Sequence, residues 1–283
     1  MEDRLLEWIK VVGPLIISWP IIGLLAILLF RRPLAELIKR FMESPGSKGE
    51  IGPVKFELGT PILPPQYSAA TNEEGFEKID LCQDIGIIRD QGPEGTVVGF
   101  SVAYAMQAAI KAKTGEEVAL SPRSIYNAAK KVDQTPYDAG TTVTAALKAM
   151  KQVGAYLESD WPYSSKTKSK PATKPAYKIS SYQELKGIEG ILNAMRQNKV
   201  VIVGITATED FMSPDAAKNG RIVTRLPLKV IGGHSICLVG YDGKGAEFKF
   251  ANSWGKNWGA NGLGTIRDSD LSRVLGDAYT LEL

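Results

Sequence analysis

The chain has a single histidine, His234, among its 283 residues, and only two cysteines, Cys82 and Cys237, with no Cys-x-x-Cys pair. One imidazole cannot build a His-rich metal centre. Two thiols leave room for one bridge but give no sign of a disulfide-stapled secreted fold. No cofactor is implied. Net charge is a mere +3, and no run of arginines with interleaved aromatics occurs, so nucleic acid is excluded as an expected partner. There is no internal repeat. Charge is also missing from residues 11–30, twenty positions in succession. At about 1.5 Å per residue, a helix of that length spans roughly 30 Å, the thickness of a bilayer core.

That run predicts a transmembrane anchor within residues 1–32, with the lipid bilayer as partner through residues 11–30. Pro14 and Pro20 would break a helix in water but are tolerated in a membrane. The acids in the leading MEDRLLEWIK and the length of the run argue against a cleaved signal peptide. Arg4 and Lys10 precede the run, whereas Arg31, Arg32, Lys39 and Arg40 follow it. The basic excess predicts a single-pass membrane protein with its C-terminal bulk in the cytoplasm. Residues 33–78 read as an amphipathic segment and tether. Leu34, Leu37, Ile38, Phe41 and Met42 fall at helical spacing, either as an interfacial helix or as a continuation of the anchor. Ser44-Pro45-Gly46-Ser47 ends it. A short strand is expected at 51–58. The tether is too short, and too broken by Pro and Gly, to serve as an inhibitory pro-segment.

With 44% hydrophobic and 23% charged residues, the remainder, 79–283, should form a packed domain. Residues 95–112 read as a helix apolar on nearly all sides. Ser121-Pro122 supplies an N-cap and a first-turn proline for a second helix to 131. A third covers 141–153 and ends at Gly154. The β-branched runs 200–206 and 235–241 predict strands, as do 247–252 and 264–266. Helices first and strands later predict an α+β class. Lys166 to Lys178, KTKSKPATKPAYK, reads as a solvated basic loop.

Asp90-Gln91-Gly92-Pro93-Glu94-Gly95-Thr96-Val97-Val98-Gly99-Phe100 resembles the Gln-Gly-x-x-Gly-x-Cys-x-x-Phe segment of papain-like cysteine peptidases. Gly233-His234 followed by Val239-Gly240-Tyr241 resembles that family's histidine strand. Asn252-Ser253-Trp254-Gly255 with Trp258-Gly259 resembles its most specific motif, and Trp161-Pro162-Tyr163 follows Gly140-Thr141-Thr142 as a family-like stop. The resemblance implies a two-lobed papain-like fold, a helical lobe against a β-sheet or barrel lobe, with a peptide or protein as ligand. It implies His234 as base, Asn252 as its orienter, Gln91 as oxyanion donor, Trp254 as the aromatic cover and Gly140 on the binding groove. At the nucleophile's position it finds Val97.

In such a site a thiolate attacks a carbonyl, the imidazole moves the proton, and the asparagine fixes the tautomer. A valine has no nucleophilic atom. Thr96 is one residue off, about 100° around a helix, and Cys237 lies at an odd offset from His234 on a strand, hence on the other face. The expected function is therefore a peptide-binding pseudo-peptidase. The alternative is an active cysteine endopeptidase disabled by an introduced Cys-to-Val change at position 97.

Overall fold

The computed structural model describes residues 48–51, 54–57, 76–135, 138–164 and 170–283. The proposed membrane segment at 11–30 and the amphipathic stretch at 33–43 lie outside them, as do residues 166–169 of the basic loop. Among the described residues, no helix is long and apolar enough to cross a membrane. The chain divides into two compact units, Met1–Gln66 and Tyr67–Leu283. In the first, β1 (Lys48–Ile51) pairs antiparallel with β2 (Val54–Glu57), Lys48 opposite Glu57. The single strand expected at 51–58 is thus two strands, separated in sequence by Gly52 and by Pro53, which lacks the N–H that a ladder needs.

In the second unit, β3 (Lys78–Asp80) leads to α1 (Val97–Thr114), α2 (Pro122–Val132) and α3 (Val143–Gln152). Then come β4 (Ser181–Glu184), α4 (Gly187–Arg196), β5 (Val201–Thr208), α5 (Pro214–Asn219), β6 (Arg221–Ile222), β7 (Val230–Asp242), β8 (Glu247–Ala251), β9 (Leu263–Arg267), α6 (Asp268–Val274) and β10 (Leu275–Glu282). Eight strands form one sheet in the order β4-β10-β5-β7-β8-β9-β6, with β3 on β7. Most of its pairs are antiparallel; β6 and β9 run parallel. The α+β class and the order of elements agree with the sequence reading.

Local chemistry explains the helix ends. Ser121 Oγ accepts from Ser124 N (3.1 Å) with Pro122 in the first turn, and Thr142 Oγ1 accepts from Ala145 N (3.1 Å). Gly115, at φ +75°, closes α1. Helix α1 is buried on almost every side, including Phe100, Val102, Ala103 and Met106, because it lies between the sheet and the other helices. Its apolar surface has no solvent face to spare, which is why its sequence shows no amphipathic stripe. It approaches α2 closely at Gly99, where a Cβ would stand 2.5 Å from the Pro122 carbonyl oxygen.

Candidate active site

Helix α1 and strand β7 meet in a way the sequence did not reveal. Ser101 Oγ and Ser235 Oγ are 2.7 Å apart, both buried. Ser101 Oγ also reaches Val98 O at 3.2 Å, so its proton goes there and Ser235 donates to it. This pair ties the second turn of α1 to the residue after His234. One turn before Ser101 is Val97, the first residue of α1, buried, its backbone N–H without an intrahelical acceptor. Val97 and His234 line one cleft of about 790 Å³ between the α1–α3 region and the sheet. Gly140, Thr142, Gly204 and Asp277 also line it.

The imidazole of His234 is half-buried. Its Nε2 lies 2.9 Å from Asn252 Oδ1, which also accepts from Ser253 N at 2.8 Å. A backbone N–H needs an acceptor, so the oxygen assignment of Asn252 is fixed. Nε2 must therefore carry the proton, and the neutral ring keeps its Nδ1 lone pair. Burial lowers the pKa of His234 from 6.5 to about 4, against which the Asn252 bond works only partly. The Trp254 ring lies 4.9 Å from the imidazole, centroid to centroid, and Phe211 approaches edge-on at 6.4 Å. Asn252 itself is buried, and its Nδ2 has no partner among the described residues.

Gln91 is drawn to this region by backbone pairing: Asp90 bridges Trp254, and Gln91 N donates to Ser253 O (2.8 Å). Its side chain is clamped at both ends. Oε1 accepts from Ser253 Oγ (2.6 Å) and Nε2 donates to Glu94 O (2.7 Å). One amide hydrogen remains beyond that bond, but Gln91 is not on the cleft wall. Gln91, the expected oxyanion donor, thus has one of its two amide hydrogens on Glu94 O.

Tyr163 explains the Trp-Pro-Tyr stop. Its hydroxyl donates to Gln91 O (2.6 Å), so the Thr96 hydroxyl, 2.6 Å away, must donate to it. Arg123, buried, pairs with Glu94 and stacks over the Tyr163 ring at 4.5 Å. The loop before α1 is thereby pinned from both sides.

The cleft is acidic. Asp133, Asp138 and Asp277 line it, and among the described residues no lysine or arginine does. Burial acts to raise the pKa of Asp133, yet hydrogen bonds from Thr141, Thr135 and Lys130 hold it at about 2. Burial raises that of Asp277, partly offset by the Gly204 backbone N–H. At Gly204 a Cβ would stand 2.1 Å from Asp277 Oδ1, so only glycine lets the carboxylate fold over the strand. Cys237 is fully buried, as its offset on the strand implied. Phe211, the Ser101–Ser235 pair and Asp277 were not found by sequence reasoning, since each contact joins residues far apart in the chain.

The family model for papain family cysteine proteases matches residues 76–274. An uncharacterized peptidase C1-like protein of Acanthamoeba polyphaga mimivirus is 27% identical over 199 residues, covering 61% of each chain. A cysteine proteinase of Brassica napus is 28% identical over 225 residues, covering 70% of this chain and 61% of its own. The chain thus spans about three-fifths of the length of these curated relatives. In structure it is similar to xylellain, a cysteine protease from Xylella fastidiosa, with TM-score 0.62 and 24% identity, covering 72% of this chain and 85% of that one. Digestive procathepsin L 3 of Tenebrio molitor larval midgut gives TM-score 0.60 at 20% identity, covering 73% and 69%.

Proposed function

The chain belongs to the papain family of cysteine proteases, and we propose that it is a member that grips peptides without cutting them. The observation that carries this reading is Val97 at the head of α1, on the cleft that His234 also lines. Acyl transfer needs an atom that can attack a carbonyl and be relieved of its proton. Valine has none. Neighbouring hydroxyls are committed elsewhere: Thr96 to Tyr163, Ser235 to Ser101, Thr141 to Asp133, and Ser253 to Gln91. What remains is a cleft of peptide-binding size, a neutral imidazole and a fixed asparagine. We further propose that residues 11–30 anchor the protein in a bilayer, with the domain on the cytoplasmic side.

A second reading is a cysteine endopeptidase whose nucleophile was replaced at position 97. The intact His234–Asn252 pair favours it, since an imidazole held in one tautomer is what proton transfer to and from a nucleophile requires.

Val97→Cys separates the two. A thiol there sits at a helix N-terminus beside an oriented imidazole, so its pKa should fall below the roughly 8.5 of a free cysteine. Background labelling is low: burial, with Asp80 adding to it, pushes Cys82 up to about 12, and burial alone pushes Cys237 up. Rapid alkylation at pH 6 with peptide cleavage establishes the disabled enzyme. Rapid alkylation without cleavage of a diverse peptide pool supports the binding protein. A thiol no faster than an ordinary exposed cysteine shows that His234 and Asn252 no longer activate anything at this position.

A further inference from the structure

The basic run from Lys166 to Lys178 has no part in the chemistry of the cleft, and one of its lysines shows where it belongs. Lys170 lines a second hollow, of about 660 Å³, together with Glu94, Asp138, Trp161 and one side of α2. On that helix Arg123, Tyr126, Asn127, Lys130 and Lys131 stand at spacings of three and four, which stacks them on a single face. Asp138 and Ala139 line this hollow and the cleft alike, so the two share a wall.

Burial separates its floor from its rim. Arg123 is 4% exposed and Trp161 7%, whereas Lys131 and Lys170 are exposed. Both floor residues carry a donor that nothing accepts. Arg123 bonds to Glu94 through Nη1 and Nη2, and Nη2 also reaches Tyr163 O at 3.3 Å, but its Nε has no partner among the described residues. Trp161 Nε1 has none either. Arginine and tryptophan nitrogens only donate, so the group that completes them must be an acceptor. Buried donors in folded proteins are paired in the great majority of cases, and two orphans in one wall point to a ligand there. Charge says of which kind. Arg123 is matched by Glu94, and Lys130 by Asp133 at 3.2 Å. Lys131 and Lys170 have no ion partner among the described residues, and Asp138 is the one further carboxylate of the lining. A positive surplus therefore remains beside an acidic cleft. A carboxylate offers two oxygens and a single charge. A phosphate monoester offers three strong acceptor oxygens and a charge of about −1.5 to −2 at neutral pH, enough for both buried donors and both rim lysines.

We propose that this hollow is a binding site for a phosphate group, with Arg123 Nε and Trp161 Nε1 as its buried donors and Lys131 and Lys170 as its rim cations. The site stands whether the cleft cuts peptides or only holds them. Because Asp138 and Ala139 belong to both hollows, a bound phosphate bears on the cleft from behind its wall.

The test titrates the full chain in detergent with inorganic phosphate, read by phosphorus NMR line broadening, against sodium chloride at equal ionic strength. Wild-type protein should give a saturable response. Trp161→Phe removes one donor and keeps an aromatic ring, and should weaken phosphate about tenfold or more, the loss expected for one hydrogen bond to a charged group. Lys131→Gln and Lys170→Gln should each weaken it by up to about fivefold, the range of an exposed ion pair. Lys218→Gln, at an exposed lysine of α5, should leave it unchanged. Near-ultraviolet dichroism checks that each variant is folded; should Trp161→Phe not fold, the three lysine variants decide. No response beyond that to chloride overturns the site. So does a response that the Trp161, Lys131 and Lys170 variants all retain, or one that Lys218→Gln weakens as much as they do. With binding established, displacement by glucose 6-phosphate identifies a soluble ester as the occupant. Displacement by dioctanoyl phosphatidic acid alone identifies a lipid headgroup, and displacement by neither identifies inorganic phosphate itself.

Discussion

His234 offers the cleanest test of the site, because it is the only imidazole in the protein. Its pKa falls from 6.5 to about 4 on burial. The unfolded chain therefore binds a proton between those values that the folded chain refuses. Stability rises with pH wherever the unfolded state holds more protons, so the contribution is complete above about pH 6.5 and is lost as pH falls towards 4. One pKa unit corresponds to about 1.4 kcal/mol, making the whole effect about 3 kcal/mol. Carboxylates titrate in the same window, so the comparison that isolates the histidine is wild type against His234→Gln, unfolded by urea at pH 4 to 7. The stability difference between the two should shrink by about 3 kcal/mol from pH 7 to pH 4. In parallel, the lone imidazole resonance should titrate near pH 4 and show the Nε2-protonated tautomer. A midpoint at 6 or above, or stability curves that stay parallel, would refute the idea that the ring is held neutral by its surroundings. Val97→Cys should then move the midpoint upward, since a thiolate favours the imidazolium.

Other outcomes follow from single contacts. Gly99→Ala places a Cβ against the Pro122 carbonyl oxygen, and thermal unfolding should show about 1–3 kcal/mol of destabilisation from overpacking. Ser101→Ala strands the Ser235 hydroxyl at a cost of about 1–3 kcal/mol in urea denaturation, part of which Ser101→Ala with Ser235→Ala should recover. If residues 11–30 span a bilayer, the protein is released from membranes by detergent but not by high salt; recovery in the soluble fraction after gentle lysis removes the anchor.

The parts legible in the sequence were those whose cause is local. The cap at Ser121, the breaker at Gly154 and the β-branched run of β5 all depend on a few adjacent residues, and each fell within two or three positions of its expected place. The His–Asn pair was legible because Asn252-Ser253-Trp254-Gly255 is a specific string. Strand β10, LGDAYTLE, and the helix α4 were missed. Neither carries a strong signal of its own, and β10 exists because β4 and β5 pair with it on either side. Strand β7 begins at Val230 rather than Ser235 because β5 extends to Thr208 and keeps pairing past Gly232 and Gly233, residues that punctuate the sequence like a turn. Glu94 O capturing the Gln91 amide is likewise a matter of loop conformation rather than residue type.

The fixed proton on Nε2 also decides what the cleft asks of its ligand. A histidine charged by a neighbouring thiolate would offer two N–H donors, one to its asparagine and one to whatever occupies the groove. Here the second nitrogen keeps its lone pair, so the group opposite it must be a donor: a peptide N–H, a hydroxyl or an ammonium. A carbonyl oxygen in the same spot would meet lone pair with lone pair. The carboxylate of Asp277 extends the same demand farther along the cleft. With valine at residue 97 and the ring neutral, the imidazole offers the cleft a lone pair that suits donors, and Val97→Cys, by charging the ring, should turn it into an N–H that suits acceptors.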